Sequence, residues 1–480
     1  MKGDYIDQYA DLRDYLEELV RCNPGTTVRV QTENANPKDN THVFKRVYIC
    51  LGALKQGFRT IGRDLIGVDG AFMKEPASGQ MLTAVGVDCN NGIYPVAYAI
   101  VEQECFSSWK WFLELLSSDL ELTPMSNFTF ISDRQKGLLP AIEQLFPCAE
   151  HRFCLRHIHE NMKSKGWRGH AYKNHLWNCA RATTIPQFEA AMLEMKKLDA
   201  KCHKYLSDIP PKHWARSHFT HRAVSDVLLN NMCEVLNRWL CDARDKPIVT
   251  ALEYVREYMM KRIANVLTKA SKCDGPLTPT ATKIFAVVQK EANSCGVMWN
   301  GTGQYQVNGP HGFQVVVDME NRTCSCRIWE ITGIPCKHVV AVLYDMSENS
   351  IDIDHVENWV HRVYKLETWK EAYAFSIKPV PGRELWTKSS VTTKLLPPKK
   401  IKSVGRPKKS RRKSMDEKEE VSVSGKLTRK GKTVKCGHCG QFGHNQRGCG
   451  NEGIGEKRKN PSEATTSARA TNKKGKQAVV

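Results

Sequence analysis

The chain has 480 residues, 41% of them hydrophobic, enough for two to four domains around a large core. Its 71 Lys and Arg against 51 Asp and Glu leave a formal charge of +20, and +18 of that falls from Lys388 onward, so the body is nearly neutral and the basic tail is expected to be disordered. No apolar run reaches the roughly 18 residues of a membrane span and the N-terminus has no signal-peptide core, which excludes both and makes the 18 Cys reduced thiols or metal ligands of an intracellular protein.

Residues 4–21 read as a helix with Tyr5, Tyr9, Leu12, Leu16 and Leu19 on one stripe, ended by Asn23-Pro24-Gly25. Residues 26–32 alternate as a strand, and 44–56 look mainly helical. A β region follows. Asp64–Asp69, Met81–Val87 and Ile93–Val101 are three strands, the last two joined by Asp88-Cys89-Asn90-Asn91-Gly92, a hairpin signal. Ser107–Leu120 is an aromatic-rich helix, Phe128–Ser132 a fourth strand, Gly137–Phe146 a helix, and His151–Leu155 a fifth strand running into another helix. Residues 160–270 read as almost wholly helical, and 355–386, with Trp359, Trp369 and Trp386, as a helical closing segment.

Two sets of residues have metal-ligand spacing. In Cys324-Ser325-Cys326 and Cys336-Lys337-His338 each pair sits one residue apart across a nine-residue gap, so two tight turns can aim four ligands at one tetrahedral zinc ion. A strand-like Phe313–Asp318 precedes the set and a helix-like Val339–Leu343 follows it. In the tail, Cys436, Cys439, His444 and Cys449 fit a zinc knuckle whose glycines permit tight turns. Phe442 within its loop offers a ring for a nucleic-acid base. Gly405-Arg406-Pro407 resembles the centre of an AT-hook, flanked by Lys408, Lys409, Arg411 and Arg412 for phosphate contact. One hook is a weak signal, and the basic clusters Lys399–Lys402 and Lys408–Lys413 read more strongly as a nuclear import signal, with which a hook can coexist.

Three acids have the setting of a metal-dependent phosphoryl transferase. Asp69 ends the first strand, Asp133 ends the fourth, and Glu234 lies on a helix whose buried stripe is Leu228, Met232, Val235 and Trp239. Each also has an unremarkable reading: a turn residue for Asp69, a helix cap for Asp133, a solvated helix position for Glu234.

Gly67-Val68-Asp69-Gly70-Ala71-Phe72, Ser132-Asp133-Arg134-Gln135-Lys136-Gly137-Leu138, Cys154-Leu155-Arg156-His157 and Asn230-Asn231-Met232-Cys233-Glu234-Val235-Leu236-Asn237 together resemble the catalytic domain of plant Mutator-like transposases, and the Cys324–His338 set resembles that family's SWIM-type finger. The resemblance covers about residues 1–386. It implies an α/β, ribonuclease-H-like Asp-Asp-Glu domain over 61–270 with a large helical insertion, preceded by a 1–60 lead-in. A SWIM module over 280–345, the 355–386 segment and the 387–480 tail, with its hook at 405–407 and CCHC knuckle at 436–449, follow. Asp69, Asp133 and Glu234 are then ligands of Mg²⁺ or Mn²⁺ in strand transfer, and Cys154 and His157 accessory residues, with a zinc reading that would add His151 or His159.

Two structural zinc ions, duplex DNA at transposon ends or A/T-rich tracts, single-stranded nucleic acid at the knuckle, a second copy of the chain and a nuclear location complete the expectation, with no membrane partner. Full-length members carry a DNA-binding region ahead of this domain. Only about 60 residues precede it here. The expectation is that the region is absent, through a short gene model or through loss. The rival reading is a DNA-binding regulator without catalysis, resembling the far-red-response transcription factors.

Overall fold

Two short helices, α1 (Asp7–Ala10) and α2 (Leu12–Cys22), open the chain and lead through β1 (Thr27–Asn36) and β2 (Thr41–Cys50) to α3 (Gly52–Ile61). Then come β3 (Leu65–Phe72), β4 (Gln80–Val87), β5 (Ile93–Val101), α4 (Phe106–Leu120), β6 (Thr129–Ser132), α5 (Leu138–Leu145) and β7 (Glu150–Phe153). In this computed structural model the described residues are 5–36, 41–74, 79–351, 353–391 and 393–398. The knuckle and hook residues Arg406, Lys408, Lys409, Arg411, Arg412, Cys436, Cys439, Phe442, His444 and Cys449 lie outside them.

The strands form one mixed sheet in the order β1-β2-β5-β4-β3-β6-β7. β3, β4 and β5 are antiparallel neighbours, while β6 runs parallel to β3 and β7 parallel to β6. Every residue of β4 is buried, so both faces of the sheet are covered. The β4–β5 turn is built by Asp88: its Oδ1 accepts from the backbone N–H of Asn90 (2.9 Å) and Gly92 (2.5 Å), and Asn91 takes the left-handed conformation at φ 57°.

The helical reading of 44–56 is corrected. Most of that stretch is β2, and the helix begins only at Gly52. β2 is an inner strand in which Phe44 and the run Arg46–Cys50 are buried, so its second half lacks the alternation that marks a half-exposed strand.

Beyond the sheet lie α6 (Leu155–Ser164), α7 (His170–Arg181), α8 (Ile185–Leu198) and α9 (Ala200–Ser207), then α10 (Asn231–Trp239) and α11 (Ile248–Ser271). α6 to α9 have their own core, including Leu176, Met195 and Trp214. The expectation of near-continuous helix over 160–270 is corrected for 208–230, which carries only two single-turn 3₁₀ segments. Its carbonyls are held by side chains. Arg152 of β7 donates to Ser225 O (2.7 Å) and Thr220 O (3.4 Å), stacks on Phe219 at 3.9 Å and pairs with Glu150 at 2.7 Å. With 1% of its side chain exposed, Arg152→Met leaves the Glu150 carboxylate without its cation, held only by Thr220, and unpairs two carbonyls, and we expect a loss of about 3–5 kcal/mol in denaturant unfolding.

The C-terminal part of the described chain holds α12 (Pro279–Ala292) and an antiparallel sheet of β8 (Gly296–Trp299), β9 (Gln304–Asn308), β10 (Gln314–Asp318) and β11 (Thr323–Cys324), with α13 (Ile328–Thr332) and α14 (Lys337–Glu348). The 355–386 stretch is less helical than expected. Its α-helix is α15 (Leu366–Ala372), and the rest is 3₁₀ turns and extended chain. α15 returns to the sheet, where Tyr373 OH (2.8 Å) and Trp369 Nε1 (3.4 Å) donate to Asp88 Oδ2. Order also extends past the expected boundary at 387. β12 (Lys394–Leu396) pairs in parallel with β2, and Lys388 Nζ lies 2.7 Å from Asp14 Oδ2. No helix among the described residues is long and apolar enough to cross a membrane.

Candidate catalytic site and zinc centre

The parallel register of β3 and β6 sets the geometry. Leu65 stands opposite Thr129 and Gly67 opposite Ile131; the pairing stops there, and Asp69 and Asp133 each follow two residues later, Asp133 just past the end of β6 and close enough to act on the Asp69 carboxyl. Asp69 does not end its strand as expected; β3 continues to Phe72 because β4 pairs with it as far as Gln80. Burial, then the carboxylates of Asp133 and Glu104, push the Asp69 carboxyl up to about 7, while His157 acts the other way. Asn237 Nδ2 donates to its Oδ2 at 2.8 Å. Asp133 Oδ1 accepts from the backbone N–H of Gln135 at 3.2 Å, which is a turn role; α5 starts from Gly137 without a side-chain cap.

Glu104 was missed in the sequence. It follows β5, where a lone acid between a strand and a helix carries no periodic signal. Its carboxylate lies over Gly70, where an added Cβ would come within 2.8 Å of Glu104 Cδ. Burial and Asp133 raise its pKa, and Trp109 Nε1 donates to it at 3.2 Å. Asp133 and Glu104 thus both act electrostatically on Asp69, but among the described residues the oxygens of these three carboxylates do not all come within 4.8 Å of one another.

α10 lies against β3 because Gly67 leaves it room: a Cβ there would meet Asn230 Oδ1 at 2.5 Å. Asn230 Nδ2 donates to Val68 O at 3.0 Å. The buried side of α10 is Met232, Cys233, Leu236 and Asn237; of the expected stripe Leu228 and Met232 are buried, while Val235 and Trp239 are half-buried. Cys233 and Asn237, one turn apart, take the place facing Asp69, and Glu234 is rotated about 100° toward α6. There Arg156 Nη1 donates to Glu234 Oε2 at 2.5 Å, and the ligand atoms of Cys154, His157 and Glu234 all lie within 4.8 Å of one another. Asp69, Asp133 and Glu234 do not make such a three-way group among the described residues. Interaction with Cys154, then the charges of Cys154, Asp133 and Glu234, raise His157 to about 9 against its burial.

The alternative partners for Cys154 and His157 point elsewhere. His151 Nε2 meets Ser132 Oγ at 2.8 Å, and the His159 ring stands edge-on to Trp177 at 5.4 Å.

The second site is closed. β11 supplies Cys324, and the turn after it brings Cys326 round, with Arg327 in the left-handed region at φ 63° and its N–H bonded to Cys324 O (2.7 Å). Cys336 is the N-cap of α14 and His338 lies in its first turn. His338 Nδ1 is 3.7 Å from Cys324 Sγ and 3.5 Å from Cys336 Sγ. All four residues are buried and their ligand atoms fall within 4.8 Å, the donor set of a tetrahedral Cys₃His zinc site. Arg327, beside the cage, donates to the carbonyls of Ser217, Phe219 (2.8 Å) and Thr183 (3.4 Å), tying the cage to the helical insertion.

Comparison with known families places a MULE transposase domain at residues 65–161 and a SWIM zinc finger at 313–346. The first spans β3 to α6 and contains Asp69, Glu104 and Asp133; the second contains the Cys₃His cage. Two curated proteins of Arabidopsis thaliana are similar. Protein FAR1-RELATED SEQUENCE 6 is 28% identical over 102 residues, 21% of this chain and 14% of that protein. Protein FAR1-RELATED SEQUENCE 5 is 22% identical over 291 residues, 52% of this chain and 36% of that protein. The matched stretches thus span about a third or less of those relatives' own lengths.

Proposed function

We propose that this chain, which carries a MULE transposase domain and a SWIM zinc finger, is a Mutator-type DNA transposase or a protein derived from one, with a ribonuclease-H-like catalytic domain. The observation that supports the reading is the parallel pairing of β3 with β6 through Gly67 and Ile131, each followed two residues later by an aspartate, Asp69 and Asp133, in a sheet ordered β5-β4-β3-β6-β7. Divalent ions at such a site would stabilise the attacking and leaving oxygens of an in-line displacement at phosphorus. The chain's own part is positional. Asp69 and Asp133 offer carboxylate oxygens side by side, Asn237 holds the orientation of Asp69, and Glu104 adds a third oxygen donor over the open Cα of Gly70. Glu234, the third acid of the proposed triad, approaches from α10. The test is a strand-transfer assay with matched terminal inverted repeats in Mg²⁺. Transfer that survives loss of both aspartates would overturn the reading.

The proposed organisation keeps a lead-in at 1–60, the catalytic domain at 61–270, the SWIM module at 280–345 and a DNA-contacting tail ending in a knuckle, in a nuclear protein. A regulator without catalysis is the second reading; the similarity to the two FAR1-related sequences supports it, and it needs no acid cluster. The two readings share a DNA partner, and the tail carries most of the excess charge. Truncation at residue 387 is therefore expected to weaken non-specific duplex binding and flatten its salt dependence. Each phosphate that the tail neutralises adds about 0.9 to the steepness of log affinity against log salt. An unchanged slope in salt-titrated binding isotherms would assign DNA contact to the body.

A further inference from the structure

We infer that Cys154, His157 and Glu234 form a separate metal site, open on one side, that takes a thiophilic divalent transition ion such as zinc(II) or cobalt(II). The inference deepens the catalytic reading and rests on Glu234 being a metal ligand there. It changes the surroundings of the ion that Glu234 of the proposed triad holds: a thiolate and an imidazole are its other ligands.

The geometry comes from two elements. Cys154 is fixed at the start of α6, its N–H bonded to Ser132 O at 2.7 Å, which extends the β6–β7 pairing by one residue. His157 follows three residues later, so one helical turn presents both side chains on the same side. Glu234 reaches them from α10, whose position is set by Asn230, bonded to Val68 O through its side chain and to Cys154 Sγ through its N–H (3.3 Å). Ligands held about 2.0–2.3 Å from one tetrahedral ion stand about 3.3–3.8 Å apart. A trio already within 4.8 Å closes on an ion by side-chain shifts of about 1 Å.

Two further features suit a metal. His157 Nδ1 is buried and finds no hydrogen-bond partner among the described residues, an orphaned atom that coordination through Nδ1 would satisfy. Arg156 grips one oxygen of Glu234, and carboxylate ligands of metals are commonly held in this way by an outer partner. Three protein ligands with a free fourth position is the arrangement of a catalytic rather than a structural zinc site. The mixed sulfur, nitrogen and oxygen set selects against Mg²⁺.

The experiment adds cobalt(II) to full-length protein from which loosely held zinc has been stripped with a mild chelator, with elemental analysis confirming that the closed Cys₃His cage keeps its zinc. A thiolate-to-cobalt absorption band in the near ultraviolet is expected at one equivalent. The band should vanish in Cys154→Ser, and cobalt affinity should fall in His157→Gln by more than the roughly 10–100-fold typical of losing an outer partner. Asp69→Asn should keep the band. Circular dichroism checks the fold, and if Cys154→Ser does not fold, His157→Gln decides alone. No band in the parent protein, or an undiminished band and affinity in the variants, overturns the site. Mg²⁺-dependent strand transfer is read separately. Transfer without a cobalt band leaves the catalytic reading standing and removes this one, while a band without transfer does the reverse.

Discussion

Asp69→Asn is expected to abolish metal-dependent DNA cleavage while leaving fold and DNA binding intact. Asparagine keeps an oxygen that can accept from Asn237 Nδ2, so the contact between β3 and α10 survives. It also removes a carboxyl that burial, Asp133 and Glu104 already push up to about 7, so thermal stability should hold or rise. Metal stabilisation of transition-state charge is worth several kcal/mol, and about 4 kcal/mol corresponds to roughly a thousandfold in rate. The measurement is single-turnover cleavage of a pre-bound duplex, with melting temperature and duplex affinity recorded on the same sample. Cleavage retained within tenfold would remove Asp69 from the site; weakened duplex affinity would make the effect structural.

The pair Asp69 and Asp133 was legible because each follows a short apolar run that can only be a strand. Two parallel strands whose preceding residues pair must then bring the next ones level. What could not be read was everything that depends on the third dimension across elements. Glu104 enters the site because the chain turns back after β5 and Gly70 leaves its carboxylate room, and a single acid after a strand announces neither fact. The face of α10 was misjudged for a related reason. An apolar stripe through Val235 and Trp239 assumes that the helix packs on hydrocarbon, whereas α10 packs Cys233 and Asn237 against a strand carrying a carboxylate. Glu234 consequently turns toward Cys154 and His157. The sequence of β2 suggests a helix because its buried run after Lys45 shows no alternation, and that of 208–230 does so although its backbone closes only short turns, with Arg152 holding two further carbonyls. The Cys₃His spacing was the most legible feature. Metal ligands one residue apart in two pairs constrain local geometry almost independently of the surrounding fold.

That independence makes Cys336→Ser the sharpest test of the zinc centre. Cys336 is 2% exposed, caps α14 and stands 3.5 Å from His338 Nδ1, so a serine there leaves three ligands around an ion that wants four. The cluster around the cage holds only nine buried apolar side chains, among them Val315, Val317, Trp329, Val339 and Leu343, packed with the three cysteines themselves. Binding of a structural zinc supplies about 10–16 kcal/mol of apparent free energy in small zinc domains, more than such a core can replace. The expected result is one zinc fewer per chain by elemental analysis and early amide exchange across β10, β11, α13 and α14. The loss should spread along Arg327, whose guanidinium joins the cage to the carbonyls of Ser217 and Phe219, so the 208–230 stretch should exchange faster too. Cys295→Ser, a half-buried thiol outside the cage, is the control and should change neither. Full zinc content in Cys336→Ser would show that the ion sits elsewhere. Normal zinc loss with unchanged exchange at 208–230 would show that Arg327 only rests against the insertion and does not transmit the state of the cage.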